Sequence, residues 1–226
     1  MNTEAGTSGL YRLLAWTSPA FPTGAFSYSH GLEAAAEADM VDGRATLEAW
    51  ITAILAKGGG RIDAHILRDA WRAASNDDPA ALAESNRRGA AFRATAELAL
   101  ESAQQGAAFV AAYDAAWSSP QRSGAGEGVC HAALFGAAAA RASIGLRDAL
   151  TAYLQAFAAN LMSAGLRLGI VGQSDGQRIL AALEPVVTAA VSAALDRDHE
   201  DFGAATFAAD LMSMKHETQY SRLFRS

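Results

Sequence analysis

Apolar residues recur at spacings of three and four between residues 146 and 161, and this repeat constrains the fold more than any other feature. The positions are Leu146, Leu150, Tyr153, Leu154, Phe157 and Leu161. Such spacing places all of them on one face of an α-helix. Alanine, the best helix former, is spread through nearly every segment, and sustained alternating runs of Val, Ile and Thr are missing. The sequence therefore predicts an all-α chain with this segment as its longest helix, central to the core.

Capping residues predict where some of the other helices begin and end. Thr46 precedes an apolar stripe as a candidate N-cap, and the run Gly58-Gly59-Gly60 predicts a stop or a close-packing break after that stripe. Asp78 followed by Pro79 is typical of a helix start, because proline lacks an N–H that the first turn would leave unbonded. These signals divide the first half of the chain into several helices.

The second half carries weaker signals. Residues 118–128 collect Ser, Pro and Gly and predict a loop within a domain. Ser174 and Gln177 have the form of a capping box, and Pro185 should kink or split the helix that they open. We find no internal repeat. The expected architecture is one irregular helical bundle that forms a single domain over residues 1–226, with its two end motifs outside the bundle or at its rim.

Composition excludes several classes of protein. The chain has 226 residues, of which 51% are hydrophobic, so it can bury a core without a disulfide or a structural metal. Its one cysteine, Cys130, rules out an intramolecular disulfide and suits a reducing compartment. The net charge of -6 argues against nucleic-acid binding. No secretory signal is recognisable, and no apolar run approaches the roughly 20 residues of a membrane span. We expect a cytoplasmic protein without a membrane anchor.

Catalytic motifs are scarce. The sequence has neither the phosphate-binding GxxxxGK[ST] pattern nor HExxH, and its five histidines do not form ligand pairs at helical spacing. Cys130 and His131 are adjacent, so on a helix they point in different directions, and core packing explains the cysteine better than catalysis. One acidic cluster could hold a divalent ion, although a solvated turn explains it equally well. It consists of Asp196, Asp198, His199, Glu200 and Asp201.

A motif near the N-terminus combines a turn with aromatic residues. It is SPAFPTGAFSYSHGLE, residues 18–33, in which Phe21-Pro22-Thr23-Gly24 suits a β-turn. Phe26, Tyr28 and His30 then alternate with serines, so an extended backbone would place the aromatic rings on one side. Two interpretations stay open. The rings either plug the end of the bundle or form a surface for a partner, since aromatic residues anchor interfaces.

The other end of the chain combines helical, cationic and aromatic features. Phe207, Leu211 and Met214 keep the spacing of a helix face, and an unbroken tail, residues 215–226, follows them. The tail is either a frayed terminus or a segment that a partner holds. If it is helical, Arg222 and Arg225 project from one face and suit an acidic groove. Ordering such a tail costs on the order of 1 kcal/mol per residue, so aromatic burial and charged hydrogen bonds must offset that cost.

The two end motifs together resemble the UreF family of urease accessory proteins. The resemblance rests on SPAFPTGAFSYSHGLE at residues 18–33 and HETQYSRLFRS at residues 216–226. Between them, Leu98 with Glu101-Ser102 and Gln105-Gly106 is similar to a pattern of that family, as is the glycine-glutamine turn at residues 172–177. The motifs cover most of the chain in matching order. Residues 118–131 depart from the aromatic-Pro-x-x-x-Gly run that the family shows there.

The resemblance implies a function without catalysis. Members of the family are helical, dimeric scaffolds that bind the accessory protein UreD, also called UreH, and with it recruit the GTPase UreG, so that nickel reaches the urease apoenzyme. They have also been proposed to regulate that GTPase. The resemblance implies no intrinsic cofactor, with nickel handled by the assembled complex. The competing hypothesis, from the acidic cluster, is a helical metal-dependent hydrolase.

The resemblance and the composition of the ends together give a set of expected partner-binding residues. Arg222 is the first expectation, followed by Tyr220 and Glu217. The whole set is Phe26, Tyr28, His30, Glu33, Lys215, His216, Glu217, Tyr220, Arg222, Leu223, Phe224 and Arg225.

Overall fold

The structure is a computed structural model that describes residues 3–117, 130–197 and 201–226. Within these ranges every regular element is a helix, which confirms the all-α prediction. The elements, in chain order, are α1 (Thr3–Trp16), a short 3-10 helix (Ala25–Ser27), α2 (Leu32–Glu37), α3 (Arg44–Lys57), α4 (Gly59–Ser75), α5 (Pro79–Ala91), α6 (Ala96–Ala116), α7 (His131–Arg141), α8 (Leu146–Arg167), α9 (Gln173–Asp196) and α10 (Phe207–His216).

Helix α4 lies at the centre of the bundle and is surrounded by α3, α5, α7, α8 and α9. Every residue from Ile62 to Arg68 is buried. The closest packing is against α7, where Gly136 lies so near the backbone of Leu67 that a Cβ there would come within 3.0 Å of its carbonyl oxygen. A side chain at that position would therefore push the two helices apart.

Helix α8 has the central place that its apolar repeat predicts. Leu150, Leu154 and Leu161 are completely buried, and α8 packs against α9 and α4. It is not the longest helix, however, because it has 22 residues and α9 has 24. Helix α9 continues unbroken through Pro185, so the predicted split is wrong. Pro185 and Ala181 are both exposed, and the carbonyl that the proline leaves unbonded can therefore reach water.

The predicted helix boundaries are partly confirmed. Asp78 caps α5, since its carboxylate accepts a hydrogen bond from the Ala81 N–H at 2.9 Å and Pro79 is the first helical residue. The break at Gly58 is also confirmed, because α3 ends before it and α4 begins after it.

Two capping predictions are wrong by a few residues. The N-cap of α3 is Gly43, and Thr46 lies in the first turn, where its hydroxyl accepts the Gly43 N–H at 3.1 Å. The N-cap of α9 is Gly172, so Ser174 is already helical and forms no capping box with Gln177. In both places a polar residue that suits a cap lies just inside the helix. The loop predicted at residues 118–128 lies outside the described residues.

Helix α9 is long and apolar enough to cross a membrane, with a mean hydropathy of 1.6, although no apolar run of that length was expected. This is weak evidence for a membrane span, because core helices pass the same criterion. Ile179, Leu183, Val187 and Val191 recur at every fourth position and are buried against neighbouring helices. These four apolar residues of α9 therefore serve packing.

The contact between α4 and α7 leads to a stability prediction. We expect Gly136→Ala to lower the free energy of unfolding by about 1–3 kcal/mol, because the new methyl group would press on the α4 backbone. Gly6→Ala in α1 is the control, since no heavy atom lies within 4 Å of its Cβ position. The control should be neutral or slightly stabilising. Urea denaturation of both variants checks the prediction, and equal midpoints would contradict it.

Candidate functional site

The C-terminal segment, residues 217–226, folds back onto the end of the bundle. It follows α10 without further regular helix, and Phe224 and Ser226 are buried. The Arg167 guanidinium lies 4.3 Å from the centre of the Phe224 ring, in the geometry of a cation–π contact. The segment is therefore held by its own chain. Because it is not helical, Arg222 and Arg225 do not form the helical face that the spacing would give.

Glu33 of α2 is the main anchor of this segment. Its carboxylate accepts hydrogen bonds from the backbone N–H groups of Leu223, at 2.7 Å, and Phe224, at 2.9 Å. The same carboxylate lies 3.2 Å from Nε2 of His216. Since Glu33 is only 8% exposed, these donors replace the water that the carboxylate would otherwise need.

His216 lies between two carboxylates. Its Nδ1 is 2.7 Å from Glu97 of α6, and its Nε2 faces Glu33 from the other side. Arg222 reaches the same site, with its Nη1 2.8 Å from Glu97. Together the two carboxylates, His216 and Arg222 join α2, α6, α10 and the C-terminal segment.

A second set of hydrogen bonds ties the last two residues to the N-terminal motif. The Arg225 N–H donates to the Ser27 carbonyl and the Ser29 N–H donates to the Ser226 carbonyl, both at 2.8 Å. The Ser29 hydroxyl also donates to the Ser226 carbonyl. The Ser226 hydroxyl donates to Glu101 at 2.8 Å. The motif at residues 18–33 and the C-terminal segment therefore form one continuous structure.

Helix α10 can approach α2 closely because of Gly31. This residue has a φ of 72°, and a Cβ there would lie 2.6 Å from the Ser213 backbone nitrogen. A larger residue would clash as well as strain the backbone. The Ser213 hydroxyl, on the buried face of α10, lies 2.8 Å from the hydroxyl of Thr95. Thr95 is the N-cap of α6.

The twelve residues expected to bind partners divide into inward and outward groups. The buried ones are Tyr28, Glu33, His216 and Phe224, and His30 is half-buried. The exposed ones are Phe26, Lys215, Glu217, Tyr220, Arg222, Leu223 and Arg225. The structure brings the two end motifs together, but whether any of these residues contacts a partner stays a prediction.

The expected alternation of rings in the N-terminal motif is wrong. Phe26 is 66% exposed, whereas Tyr28 is buried and its hydroxyl donates to Gln104. Burial raises the pKa of Tyr28, although the nearby Arg225 opposes this shift. Residues 25–27 form a 3-10 turn after Gly24, which has a φ of 74°, so the stretch is not extended. The buried Tyr28 therefore fits the interpretation that the rings plug the end of the bundle. The exposed Phe26 fits the interpretation that they form a surface for a partner.

Helix α10 itself has an unusual outer face. Phe207, Leu211 and Met214 are 78%, 58% and 48% exposed, while Ala209, Ser213 and His216 on the other face are buried. The predicted helix spacing is confirmed, and the structure adds that the apolar stripe points to solvent. Large apolar side chains that are exposed side by side mark interaction surfaces. We call Phe207, Leu211 and Met214 the α10 stripe.

The sequence analysis does not predict that Glu97 and Thr95 receive the tail. Their partners, His216 and Ser213, lie 119 and 118 positions later in the chain, so no local pattern connects them. The sequence does place Glu97, Glu101 and Gln105 on one face of α6, because they are spaced by four. This polar face is the one local signal for Glu97, and Thr95 lies outside it.

Cys130 lies in a buried polar cluster that holds the core together. Its Sγ is 3.1 Å from Nη2 of Arg93, which forms an ion pair of 2.7 Å with Asp63. Tyr153 donates to the same Asp63 carboxylate at 2.9 Å, and burial raises the pKa of Tyr153 well above its ordinary value. Cys130 is fully buried, as the core-packing interpretation predicts.

The acidic cluster does not supply a metal site in the part of the chain that can be described. Asp198, His199 and Glu200 lie outside the described residues. Asp201 is paired with Arg61 at 2.9 Å and with Arg197 at 3.5 Å. Among the described residues no group of three His, Cys, Asp or Glu side chains could hold a metal ion. The hydrolase hypothesis gains no support from this geometry.

The anchoring role of Glu33 can be tested by hydrogen exchange. We expect Glu33→Gln to speed amide exchange in residues 217–226, because a neutral amide accepts more weakly from two backbone N–H groups and His216. Core amides of α4 and α8 should change little. Glu37→Gln is the control, since Glu37 lies on the same helix and is exposed. Unchanged exchange in the Glu33 variant would show that the segment is held by other contacts.

Comparison with known proteins identifies the family. The UreF family model matches residues 41–184. The chain is 46% identical to the urease accessory protein UreF of Granulibacter bethesdensis, over 99% of this chain and 96% of that protein. It is 45% identical to UreF of Rhodopseudomonas palustris strain TIE-1, over 97% and 93%, and 41% identical to UreF of Mesorhizobium japonicum, over the full length of both. The chain therefore belongs to the UreF family of urease accessory proteins.

Proposed function

We propose that this chain is a non-enzymatic scaffold, or chaperone, for nickel insertion into urease. In this proposal it binds the accessory protein UreD, and the resulting complex recruits the GTPase UreG to the urease apoenzyme. Family membership supports the general role, since the relatives are named urease accessory proteins. The observation that carries the specific role is the α10 stripe, which presents apolar area to solvent beside an ordered tail.

The tail adds exposed apolar side chains to those of the α10 stripe. Tyr220 is fully exposed and Leu223 is 61% exposed. Lys215, Arg222 and Arg225 add positive charge beside them. Interfaces typically combine an apolar centre with a polar rim in which arginine is enriched. We therefore propose that UreD covers the α10 stripe and the outward residues of the tail.

The buried residues of the tail have a different role in this proposal. Glu33 and His216 fix the backbone of the tail from inside, and Phe224 packs in the core. Arg222 has both roles, since its guanidinium holds Glu97 while 40% of its side chain stays exposed. Phe26 lies on the neighbouring N-terminal motif and would extend the same surface.

Further parts of the proposal follow from the family. We propose that the chain is a homodimer in the cytoplasm, acting as one domain over residues 1–226. It holds no cofactor of its own, and the assembled complex handles nickel. The reducing cytoplasm suits a chain whose single cysteine is buried and unpaired.

Binding of UreD by the stripe can be tested with charged substitutions. We expect Leu211→Asp and Met214→Asp each to weaken the complex by about tenfold or more, because a carboxylate would be desolvated in an apolar contact. Met40→Asp is the matched control, since Met40 is 43% exposed and Met214 is 48% exposed. Light scattering on a sizing column, with UreD added, measures the complex, and circular dichroism checks the fold. Complex formation by all three variants would contradict the proposal.

A role in GTP hydrolysis has its own test. An arginine supplied by one protein to another can stabilise the charge that develops during phosphoryl transfer. We expect the rate of GTP turnover by UreG to change when UreD and this chain are both present. The measurement is phosphate release with and without the chain. The Leu211→Asp variant, which should bind UreD more weakly, serves as the control, and identical rates in all mixtures would contradict regulation.

A further inference from the structure

A cavity of about 340 Å³ lies beneath the N-terminal motif. The segment from Thr17 to Phe26 forms its outer wall, and α6, α7 and α8 form the rest. Its volume is in the range of small-molecule sites in proteins, roughly 300–1,000 Å³. The cavity is separate from the α10 stripe, none of whose residues line it.

Aromatic rings make up much of the wall. They include Trp16, Phe21, Phe26, Phe135 and Phe157. The faces of such rings carry negative electrostatic potential and attract cations, and cages of this kind bind ammonium groups. Three of these rings pack against other aromatic rings, since Trp16 lies edge-on to Phe135 at 6.0 Å and Phe21 lies 5.5 Å from Phe109.

Glu101 places a negative charge in the same cavity. The residue is only 5% exposed, and its carboxylate accepts hydrogen bonds from the side chains of Gln105 and Ser226, both at 2.8 Å. The Nε2 atom of His30 lies 3.2 Å away. A carboxylate has about four acceptor positions, so one remains for another donor. The residues that line the cavity, all in the described part of the chain, include no Lys or Arg.

His131 does not supply the missing positive charge. Its ring lies in the cavity wall, 5.4 Å from that of Tyr153. Burial and the nearby Arg93 lower the pKa of His131 to about 4, although the Asp63 and Glu101 carboxylates oppose this shift. The imidazole of His131 is therefore neutral at pH 7 and adds no positive charge to the wall.

We propose that this cavity binds an organic cation, an ammonium or guanidinium group on an apolar stem. The cationic group would bond to Glu101 and lie against the aromatic rings, and the stem would fill the space between the N-terminal motif and α8. A carboxylate beside aromatic faces favours a cation over a neutral molecule of the same shape, since both contacts depend on positive charge.

The test compares two probes of nearly equal shape. We expect benzylammonium to bind the full-length protein about tenfold or more tightly than benzyl alcohol, as measured by ligand-observed NMR titration. Glu101→Gln should remove this preference. Equal affinity for the two probes, or no binding of benzylammonium, would overturn the proposal.

Glu101 also accepts a hydrogen bond from Ser226, so a loss of binding in Glu101→Gln can come from a disturbed fold. A second pair of variants controls for this. Ala156→Phe should abolish binding by filling the cavity, since Ala156 lines it, and this variant keeps Glu101. Thr151→Phe is its control on the same helix, since Thr151 is exposed and does not line the cavity. Binding that survives in Ala156→Phe, with the fold intact by circular dichroism, would place benzylammonium elsewhere and overturn the assignment.

The natural cation could be a free amine or a basic side chain of a partner protein. Adding UreD to the protein saturated with benzylammonium separates these sources. Displacement of the probe on complex formation assigns the cavity to a side chain of UreD, and retention assigns it to a free organic cation. The displacement experiment requires UreD to bind, whereas the titration of the isolated protein does not. If UreD does not bind, the titration still tests the cavity.

Discussion

The burial of α4 on all sides between Ile62 and Arg68 is the constraint on which the rest of the structure depends. This part of the helix cannot turn a polar face to water, yet it carries Asp63 and Arg68. Each must find a charged or polar partner within the protein, because an unpaired buried charge costs several kcal/mol. Asp63 pairs with Arg93, which follows α5, and with Tyr153 of α8. The charges of α4 thus fix the positions of neighbouring helices that apolar packing alone would leave free to slide.

Arg68 shows how this constraint reaches α9. Its Nη1 donates to the carbonyls of Ala194 and Arg197, at 2.7 and 2.8 Å. The last carbonyls of a helix lack partners within that helix, and they carry the negative end of the helix dipole. The buried Arg68 guanidinium thus gives these carbonyls hydrogen-bond donors, and the carbonyls give the guanidinium acceptors.

Buried charges also need partners at the rim of the bundle, where Glu33 and Glu97 receive donors from the C-terminal segment. That segment is therefore part of the fold, because without it Glu33 would lose two backbone donors and Glu97 would lose Arg222.

Local features of the structure could be predicted from the sequence, and long-range pairings could not. The period of α8 and the Asp78-Pro79 start of α5 depend on residues within a few positions of each other, and both predictions are confirmed. The course of the tail depends on contacts such as that of Glu33 with His216, 183 positions apart, for which a single sequence gives no signal. The alternation predicted around Tyr28 is wrong because glycines with positive φ, at positions 24 and 31, turn the backbone on either side.

The docked tail changes the energetics of the proposed assembly. A segment of ten residues that orders only on binding would subtract on the order of 10 kcal/mol of backbone entropy from the affinity. In this structure Glu33, His216 and Glu97 already hold the segment, so its ordering is part of folding. A partner then meets a preformed surface, and apolar burial along the α10 stripe contributes directly to affinity. On this proposal, residues on the inner side affect assembly by positioning the backbone, and residues on the outer side affect it by contact. The two groups are therefore separable by experiment, since only the inner group also stabilises the free protein.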